Sequence, residues 1–581
     1  MRAALAPINP TIGDLAGNAQ RIERAVAQAM ALPGGADLVV LPELAICGYP
    51  PRDLLSEPGF VRACTDRAMA LAPLSAGGPT IVLGCPLAEG PGVRNALLVF
   101  QGGRLVATYA KRLLPTYDVF DEQRYFLPGR SPAVVEVAGV PVGLAICEDL
   151  WTGQDAGEHW RYQGQGEPIA ELVAQGARAI VAPSASPFVQ GKHARHVALL
   201  ASSARRHGAW VLSVNQAGAN DDLIFDGHAL AFDPAGRLRA AGGRFEPALA
   251  VAELDRPDGP TVQDPMAAGD AQETLACALA QSIADYVRKT GFQRVLVGLS
   301  GGIDSAVTAA LAVKALGHRA VVGVAMPGPF SSDHALQDAR DLADRLGIEL
   351  LTVPILGSVQ AMAQALGPAL DRLGQPGLGQ QRPDLAEENL QSRLRGAALM
   401  ALSNRLDALV LTTGNKSELA VGYCTLYGDM NGALAPLGDV PKMGVYALAR
   451  AMNARPGAMG FASPPIPRRT IDKPPSAELA PGQRDQDTLP PYDVLDAIVQ
   501  LRVEQRLDAR AIATQTGQPQ AMVERLCRLI ARNEYKRSQY AVVPKVSPVA
   551  FGPGRRMPIA QAWTGTMHPC APSVGPTSPS P

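Results

Sequence analysis

The sequence predicts an α/β protein in two successive units, and three observations carry that expectation. At 581 residues the chain exceeds what one hydrophobic core usually supports. Before residue 255, short apolar strands alternate with amphipathic helices but are also paired across Gly-containing turns, which implies stacked layers of sheet and helix. From Ala271 onward each strand is followed by a helix-length segment, the pattern of right-handed crossovers and a doubly wound parallel sheet.

The elements follow in order. "ALAPINP" reads as a strand, and "NAQRIERAVAQAM" as a helix with Ile22, Ala25, Val26, Ala29 and Met30 on one face. The strand "DLVVLPE" comes next. "ALLVF" and "LVATYAK" flank "QGGR", a hairpin whose glycines supply positive φ. "AVVEV" and "VPVGLAIC" flank Ala138-Gly139 in a second hairpin, and "RAIVAPSAS" and "WVLSV" are strands separated by the helix "KHARHVALLASSARRH". Residues 256–270 are rich in Pro, Gly and Asp without apolar period and read as a linker between units 1–255 and 271–563. The second unit opens on the helix "ETLACALAQSIADYVRKTG". Strand and helix then repeat: "RVLVGLS" with "SAVTAALAVKALG", "AVVGVAMP" with "ALQDARDLADRLG", "ELLTVPI" with "VQAMAQAL". "ENLQSRLRGAALMALSNRL" precedes the strand "ALVLTTG"; "PYDVLDAIVQLRVEQ" and "QAMVERLCRLIARNEYKR" are later amphipathic helices. Residues 564–581 read as a disordered tail.

Apolar residues make up 47% and charged residues 18%, with net charge -1. That balance points away from nucleic acid or an anionic membrane as the main partner. No apolar run reaches the ~18 residues of a membrane span, and "MRAALAPINPTIGDL" lacks a signal-peptide core, so a soluble cytoplasmic protein is expected. The 8 cysteines contain no CxxC pair, which argues against a zinc knuckle or a disulfide framework. His193 and His196 form the only close histidine pair. With no third ligand nearby in the chain, they read as a solvated helix face.

The densest motif is "VLVGLSGGIDSAVTAAL" at 295–311, where Ser300-Gly301-Gly302-Ile303-Asp304-Ser305 ends a strand and opens a helix. Ligands of parallel sheets collect at such ends, and free N–H groups with the helix dipole make the turn an anion site. A Walker A loop would carry a lysine reaching the β/γ-phosphates. Here amides and hydroxyls form the cradle, with Asp304 as a Mg²⁺ ligand, an arrangement suited to gripping pyrophosphate as one unit. The stretch resembles the SGGxDS loop of the ATP pyrophosphatases, which cleave ATP between α and β phosphates to activate a carbonyl oxygen. That resemblance places ATP against Gly298, Leu299, Ser300, Gly301, Gly302, Ile303, Asp304 and Ser305.

Downstream, "LTTGNKSELAVGYCTLYGDMNGALAPLGDVPK" (411–442), "EENLQSRLRG" (387–396) and "KPPSAELAPGQRDQDTLPPYDVLDAI" (473–498) resemble the synthetase domain of NAD synthetases. The resemblance implies that Thr413 and Lys442 contact ATP and that Glu418 joins Asp304 on Mg²⁺. It implies that Asn389, Glu418, Asp429 and Lys536 bind deamido-NAD. Singly, Asn389 reads equally as a helix-surface residue, and Lys442 and Lys536 as solvated charges.

In the first unit Glu43, Lys111 and Cys147 each stand where a strand gives way to a loop, so one sheet end can gather a base, a cation and a thiol. Glu148 and Asp149 beside Cys147 raise its pKa, so the thiol needs such partners. Singly, Cys147 reads as a core thiol, Glu43 as a strand-end charge and Lys111 as a solvated amine. The order Glu, Lys, Cys resembles the nitrilase superfamily. "LPELAICGYPPRDLL", "YAKRLLPTYDVFDEQRYFLPG" and "GLAICEDLW" are similar to the glutaminase domain of glutamine-dependent NAD synthetases. The resemblance implies an αββα sandwich, Glu43 as general base, Lys111 as oxyanion stabiliser, Cys147 as nucleophile and Glu122 as a second acid. It places glutamine on Tyr117, Ser186 and Lys192. Cys47, where the family usually carries a hydroxyl, reads as packing. The resemblance runs from residue 8 to residue 563. It implies substrates L-glutamine, ATP and deamido-NAD, a protein-lined ammonia passage and a homo-oligomer. Two alternatives stay open: another ATP-pyrophosphatase glutamine amidotransferase, or an ammonia-only synthetase with an inactive first unit.

Overall fold

The computed structural model describes residues 1–563 apart from 91, 153–161, 163, 257–259 and 380–382. The expected tail at 564–581 lies outside the described residues, as does part of the linker.

Two six-stranded sheets form the first unit. In spatial order the first holds Ala250–Glu253, Arg2–Leu5, Leu38–Val40, Thr80–Glu89, Gly92–Gln101 and Arg104–Ala110. The second holds Leu238–Gly242, Ala229–Phe232, Trp210–Asn215, Ala179–Ser184, Val140–Leu144 and Val134–Val137. Strand alternation explains the layering. Ala3, Leu5, Leu38 and Val40 point inward against Leu144, Val181, Leu212 and Val214 of the facing sheet. Ala4 and Val39 point outward beneath the helices Leu15–Met30 and Phe60–Met69. Helices Pro168–Ala174 and Lys192–His207 cover the other outer face. The αββα sandwich is therefore present.

The opening strand ends at Leu5 rather than running through Pro10, because Pro7 and Pro10 carry no N–H for a ladder. "VPVGLAIC" likewise stops pairing at Leu144, and Cys147 begins a separate short turn. The ten-residue strand Thr80–Glu89, absent from the expected elements, is buried on both faces over most of its length and lacks polar alternation. At the Ala138-Gly139 turn both φ values are positive, 46° and 74°, which matches the twist of the strands it joins.

The second unit has a four-stranded parallel sheet in the order Glu349–Thr352, Val321–Ala325, Val295–Gly298, Leu409–Leu411. Helices Ala271–Lys289, Ile303–Leu316 and Asp333–Leu346 pack one face, and Leu399 of Leu385–Leu406 packs the other beside Leu296, Val322 and Val410. The first neighbour of Val295–Gly298 comes next in the chain and the second returns much later. The loop after this strand therefore sits at a topological switch point. A helical cluster built from Lys416–Val421, Tyr492–Val499, Ala509–Thr516 and Gln520–Arg532 completes the unit.

Polar contacts join the two units. Lys289 Nζ donates to Asn9 Oδ1 (2.7 Å), Pro10 O (2.9 Å), Ala219 O (2.8 Å) and Asn220 Oδ1 (2.8 Å). Asp285 accepts from Asn9 Nδ2 and from the Ala219 amide. Further along, the Lys545 amide donates to Asp222 O, and Lys545 Nζ pairs with Asp118 at 3.0 Å. The next two amides, Val546 and Ser547, donate to Asp439.

Candidate functional site

Two sets of polar side chains stand out. In the first unit Lys111, 1% exposed, lies between Glu43 and Glu122, with Nζ 2.8 Å from an oxygen of each. Lys111 is therefore not a solvated amine. Asn95 donates to Glu43 at 2.7 Å, the Ala185 amide donates to its other oxygen at 2.9 Å, and the Tyr49 hydroxyl donates to Glu122 at 3.0 Å. These contacts fix both carboxylates. Burial alone would depress the Lys111 ammonium, but Glu122 and Glu43 together hold it well above its ordinary value. Burial also pushes Glu122 up to about 7 and the Glu43 carboxylate adds to that, while Lys111 pulls it down.

Cys147 follows the strand Val140–Leu144 and has φ 43°, a left-handed conformation strained for a side chain with a Cβ. Asp149 braces this bend. It accepts from Ile146 N (3.0 Å), Leu113 N (3.0 Å), Arg112 N (3.1 Å) and the Tyr109 hydroxyl (2.8 Å). The bend is thereby tied to the residues just after Lys111. Burial raises the Cys147 thiol far above its usual value and Glu43 adds to that, while Lys111 draws it down. Cys47 is buried and its Sγ lies 3.5–3.6 Å from the carbonyls of Gly48 and Leu44, a packing position.

Of the residues expected at glutamine, Lys192 Nζ donates to Ser186 Oγ at 2.7 Å, and Tyr117 donates to Glu148 at 3.0 Å. Burial lowers the Lys192 pKa, and the carboxyl of Glu148 also accepts from Tyr162 at 2.6 Å. Tyr49 and Glu148 lie inside the motifs quoted above without having been singled out as site residues, and Asn95 lies outside them; its one signal is a polar Asn inside the apolar strand "RNALLVF".

The second set lines an open cleft at the end of the parallel sheet. Gly298, Leu299, Ser300, Gly302, Ile303, Asp304, Ser305, Thr413, Glu418, Asp429 and Lys442 all face it. Helices Ala271–Lys289, Asp333–Leu346, Leu385–Leu406 and Lys416–Val421 are each capped by a side chain, but Ile303–Leu316 is not. Its first N–H groups face the cleft without a side-chain acceptor, as an anion site requires. The hydroxyls of Ser300 and Ser305 lie 3.2 Å apart, and Ser300 Oγ accepts from Gly302 N, so they also shape the turn. Gly301 is not part of the cleft wall. Its φ is 76°, and a Cβ there would stand 2.6 Å from Ala335 O, so close packing against the next helix demands glycine.

Lys442 is 2% exposed rather than solvated, and Nζ reaches Asp304 Oδ2 at 2.6 Å and Glu418 Oε1 at 2.9 Å. Asn415 Nδ2 holds the other Asp304 oxygen at 2.9 Å. Two hard carboxylate oxygens thus converge on one cation, a donor set that fits Mg²⁺ once the ammonium moves aside. Burial pushes Glu418 up to about 7 and Asp429 up to about 6. Asn389 and Lys536 stand outside the cleft wall. Asn389 accepts from Thr425 Oγ1 at 2.8 Å, and Lys536 donates to the Gly422 and Cys424 carbonyls at 2.8 and 2.6 Å. Both brace the loop leading to Asp429, whose carboxylate accepts from Thr425 N at 2.7 Å. Lys473 and Glu478, paired at 2.6 Å, close the opposite wall.

The reading of His193 and His196 as a solvated face does not hold. His196 is 4% exposed, and folding brings Asp226 and His228 beside the pair. These partners are distant in sequence, which is why the pair looked isolated.

Residues 2–262 match the carbon-nitrogen hydrolase family and residues 275–540 the NAD synthase family. A glutamine-dependent NAD(+) synthetase of Synechocystis sp. is 44% identical over 570 residues, spanning 96% of this chain and 98% of its own. One from Thermotoga maritima is 37% identical, spanning 97% and 99%. The solved glutamine-dependent NAD+ synthetase from Acinetobacter baumannii, in complex with adenosine diphosphate, has TM-score 0.72 at 34% identity over 97% of this chain and 99% of that one. That from Cytophaga hutchinsonii has TM-score 0.80 at 21% identity over 97% and 98%, a shared fold. A buried carboxylate–lysine–thiol set and a lysine-free strand-to-helix turn thus occur together in a chain matched end to end by these relatives, and the chain belongs to the glutamine-dependent NAD(+) synthetases.

Proposed function

We propose that this chain makes NAD from deamido-NAD with ammonia taken from L-glutamine, at the expense of ATP. The observation that carries the reading is the pairing, in one chain, of the buried Glu43–Lys111–Cys147 set with the uncapped turn at 300–305. Residues 1–255 act as glutaminase and 271–563 as synthetase, joined by 256–270.

In the glutaminase, the environment of Cys147 opposes a resting thiolate. Proton transfer from Cys147 to Glu43 therefore accompanies attack on the glutamine amide carbon. Lys111 Nζ stabilises the oxyanion, and Glu122 keeps Lys111 in place. The amide nitrogen takes a proton and leaves as NH₃, and water then releases glutamate from the thioester. Lys192, Ser186 and Tyr117 hold the substrate.

In the synthetase, the nicotinate carboxylate attacks the α-phosphorus of ATP and pyrophosphate departs. Neutral NH₃ then attacks the acyl adenylate, AMP leaves and a proton is lost. The amides of the 300–305 turn and Lys442 offset charge on the departing pyrophosphate. Asp304 and Glu418 would hold Mg²⁺, which would neutralise phosphate charge there. Asp429 faces deamido-NAD, and Asn389 and Lys536 serve it by positioning Asp429. Ammonium carries no lone pair, so NH₃ has to pass between the units through protein. A cytoplasmic homo-oligomer belongs to the same proposal; among the described residues no helix is long and apolar enough to cross a membrane.

The test is Cys147→Ala with AMP and NAD as readouts. Glutamine-driven NAD formation is lost while ammonium-driven formation stays at the parental rate. Persistence of glutamine use, or release of ADP instead of AMP, rejects the assignment. Retained activity on xanthosine monophosphate instead of deamido-NAD would favour the rival amidotransferase.

A further inference from the structure

Three of the chain's 8 histidines, His193, His196 and His228, meet beside the residues assigned to glutamine, and the chain linking the two units meets them there. The contacts form a continuous path. Asp264, in the linker, has Oδ2 2.6 Å from His193 Nε2. The opposite ring nitrogen, His193 Nδ1, is buried without a hydrogen bond and meets Asp226 Oδ2 only as an ion pair at 3.8 Å. Asp226 Oδ1 accepts from Asn215 Nδ2 at 2.8 Å. Asn215 then grips the backbone of Ser186 on both sides, accepting from its amide at 2.8 Å and donating to its carbonyl at 2.9 Å. Ser186 Oγ holds Lys192, and the preceding amide, Ala185, holds Glu43.

We propose that His193 is a positioning residue, clamped between Asp264 and Asp226, through which the linker sets the glutamine pocket. The proposal rests on the glutaminase reading above and concerns how that site is held. It touches no reacting atom: displacing Asp264 frees the His193 ring, and Asp226 and Asn215 then hold Ser186 less firmly. The linker leads within a few residues into the helix Ala271–Lys289, whose Lys289 and Asp285 are anchored on the first unit. A shift of the synthetase unit therefore reaches the glutamine pocket by this path. A metal at the same cluster is disfavoured. Asp226 Oδ1 already accepts three hydrogen bonds, from Asn215 Nδ2, His228 N and His228 Nδ1.

The charge state suits a clamp. Burial lowers the His193 pKa, but Asp226 and Asp264 outweigh it and lift it to about 9. The groups facing the ring are Asp226 from the ribbon Leu223–Asp226, His228 beyond it and Asp264 from the linker, with Lys192 and His196 on its own helix. His196 is held neutral by burial. The doubly ionic clamp is present below about pH 9 and lost above it.

The test uses the full-length enzyme with Asp264→Asn and His193→Gln, singly and together. The expected result is a KM for glutamine raised about fivefold in each single variant, with kcat on saturating glutamine and ammonium-driven NAD formation within about twofold of the parent. The double variant is no worse than either single one. A rise in KM for glutamine that the parent shows above about pH 9 is absent in His193→Gln. Unchanged KM in both single variants, additive effects in the double variant, or equal loss of ammonium-driven and glutamine-driven activity in both overturns the proposal. If Asp264→Asn alone fails to fold, His193→Gln decides by the same criteria. Cys147→Ala separates the two levels: if it still uses glutamine, the glutaminase reading falls; if not, a normal KM in the His193 and Asp264 variants removes only the clamp.

Discussion

Replacing Lys111 with Met tests the first site at its most loaded point. Lys111 is 1% exposed and is the cation within 2.8 Å of both Glu43 and Glu122. Met keeps much of the volume and removes the charge, leaving two buried carboxylates side by side. Breaking a buried pair in this way costs about 3–5 kcal/mol. For a unit of this size the loss corresponds to a fall of roughly 10 °C in the unfolding midpoint. The chemistry suffers separately. Loss of an oxyanion donor removes a factor of about 10²–10³. Glutamine-driven NAD formation should therefore fall by about 10²–10³, with ammonium-driven formation unchanged. A carboxyl whose folded pKa lies above its unfolded value stabilises fully below the unfolded value and loses that contribution as pH rises through the folded one. The variant should therefore melt lower as pH climbs from about 4 through 7 and beyond, more steeply than the parent, where Glu122 already sits at about 7. Adding Glu122→Gln to Lys111→Met should recover most of the midpoint and none of the glutamine turnover. Parallel assays with glutamine and ammonium, with calorimetry across pH, decide the matter. A Lys111→Met enzyme that turns over glutamine within about tenfold of the parent, or melts at the parental temperature, would refute the reasoning.

Two further expectations follow from the second site and from the contact between units. Glu418 must lose a proton to bind a divalent cation, and its pKa lies at about 7. Mg²⁺ affinity should therefore rise up to about tenfold per pH unit below 7 and level off above it, with proton release measured by calorimetry in buffers of different ionisation enthalpy. A flat affinity from pH 6 to 8 would remove Glu418 from the metal site. Lys289→Met strands four acceptors of the first unit. It should split thermal unfolding into two transitions and lower the NAD formed per glutamine hydrolysed, with ammonium-driven activity kept; a single parental transition would show that the weld contributes little.

Both fold classes were legible because layer architecture is written in local pattern. Short apolar runs bounded by turn residues marked strands of the first unit, and the strand–helix repeat after Ala271 marked the parallel sheet. The strand Thr80–Glu89 was not legible, because Gly84 and Pro86 interrupt its apolar run and read as a break. Glu43, Lys111 and Cys147 were legible because each ends or follows a strand beside recognisable residues. Asn95 and Asn415 hold the acids of the two sites, and neither was singled out, because an amide has no charge or nucleophile to mark it as a partner of a distant carboxylate. Gly301 was legible as a glycine of the turn, but packing against Ala335 requires it. The histidine cluster was hidden for a topological reason. Its carboxylates, Asp226 and Asp264, arrive from a ribbon and a linker that follow the helix by tens of residues.

The two sites share one motif in space, a buried lysine between two carboxylates, and its different setting implies different use. In the first, Lys111 is fully buried and Asn95, Tyr49 and the Ala185 amide hold both acids. No ligand can replace the ammonium without leaving those acids stranded, so on the proposed function the cation stays in place and meets the oxyanion where it stands. In the second, Asp304 and Glu418 keep side chains 17% and 16% exposed at the wall of an open cleft. A divalent cation entering with a nucleotide can take the Lys442 position between the carboxylates, and the released ammonium is then free to pair with a phosphate. On the proposed function, Lys442 keeps two acids from repelling each other before substrate arrives and supplies positive charge afterwards. Loss of Lys442 should weaken pyrophosphate release more than Mg²⁺ binding, because the acids remain while the mobile charge is gone. Under the same proposal Lys111 admits no such division, since its one position would serve both the resting acids and the reacting oxygen.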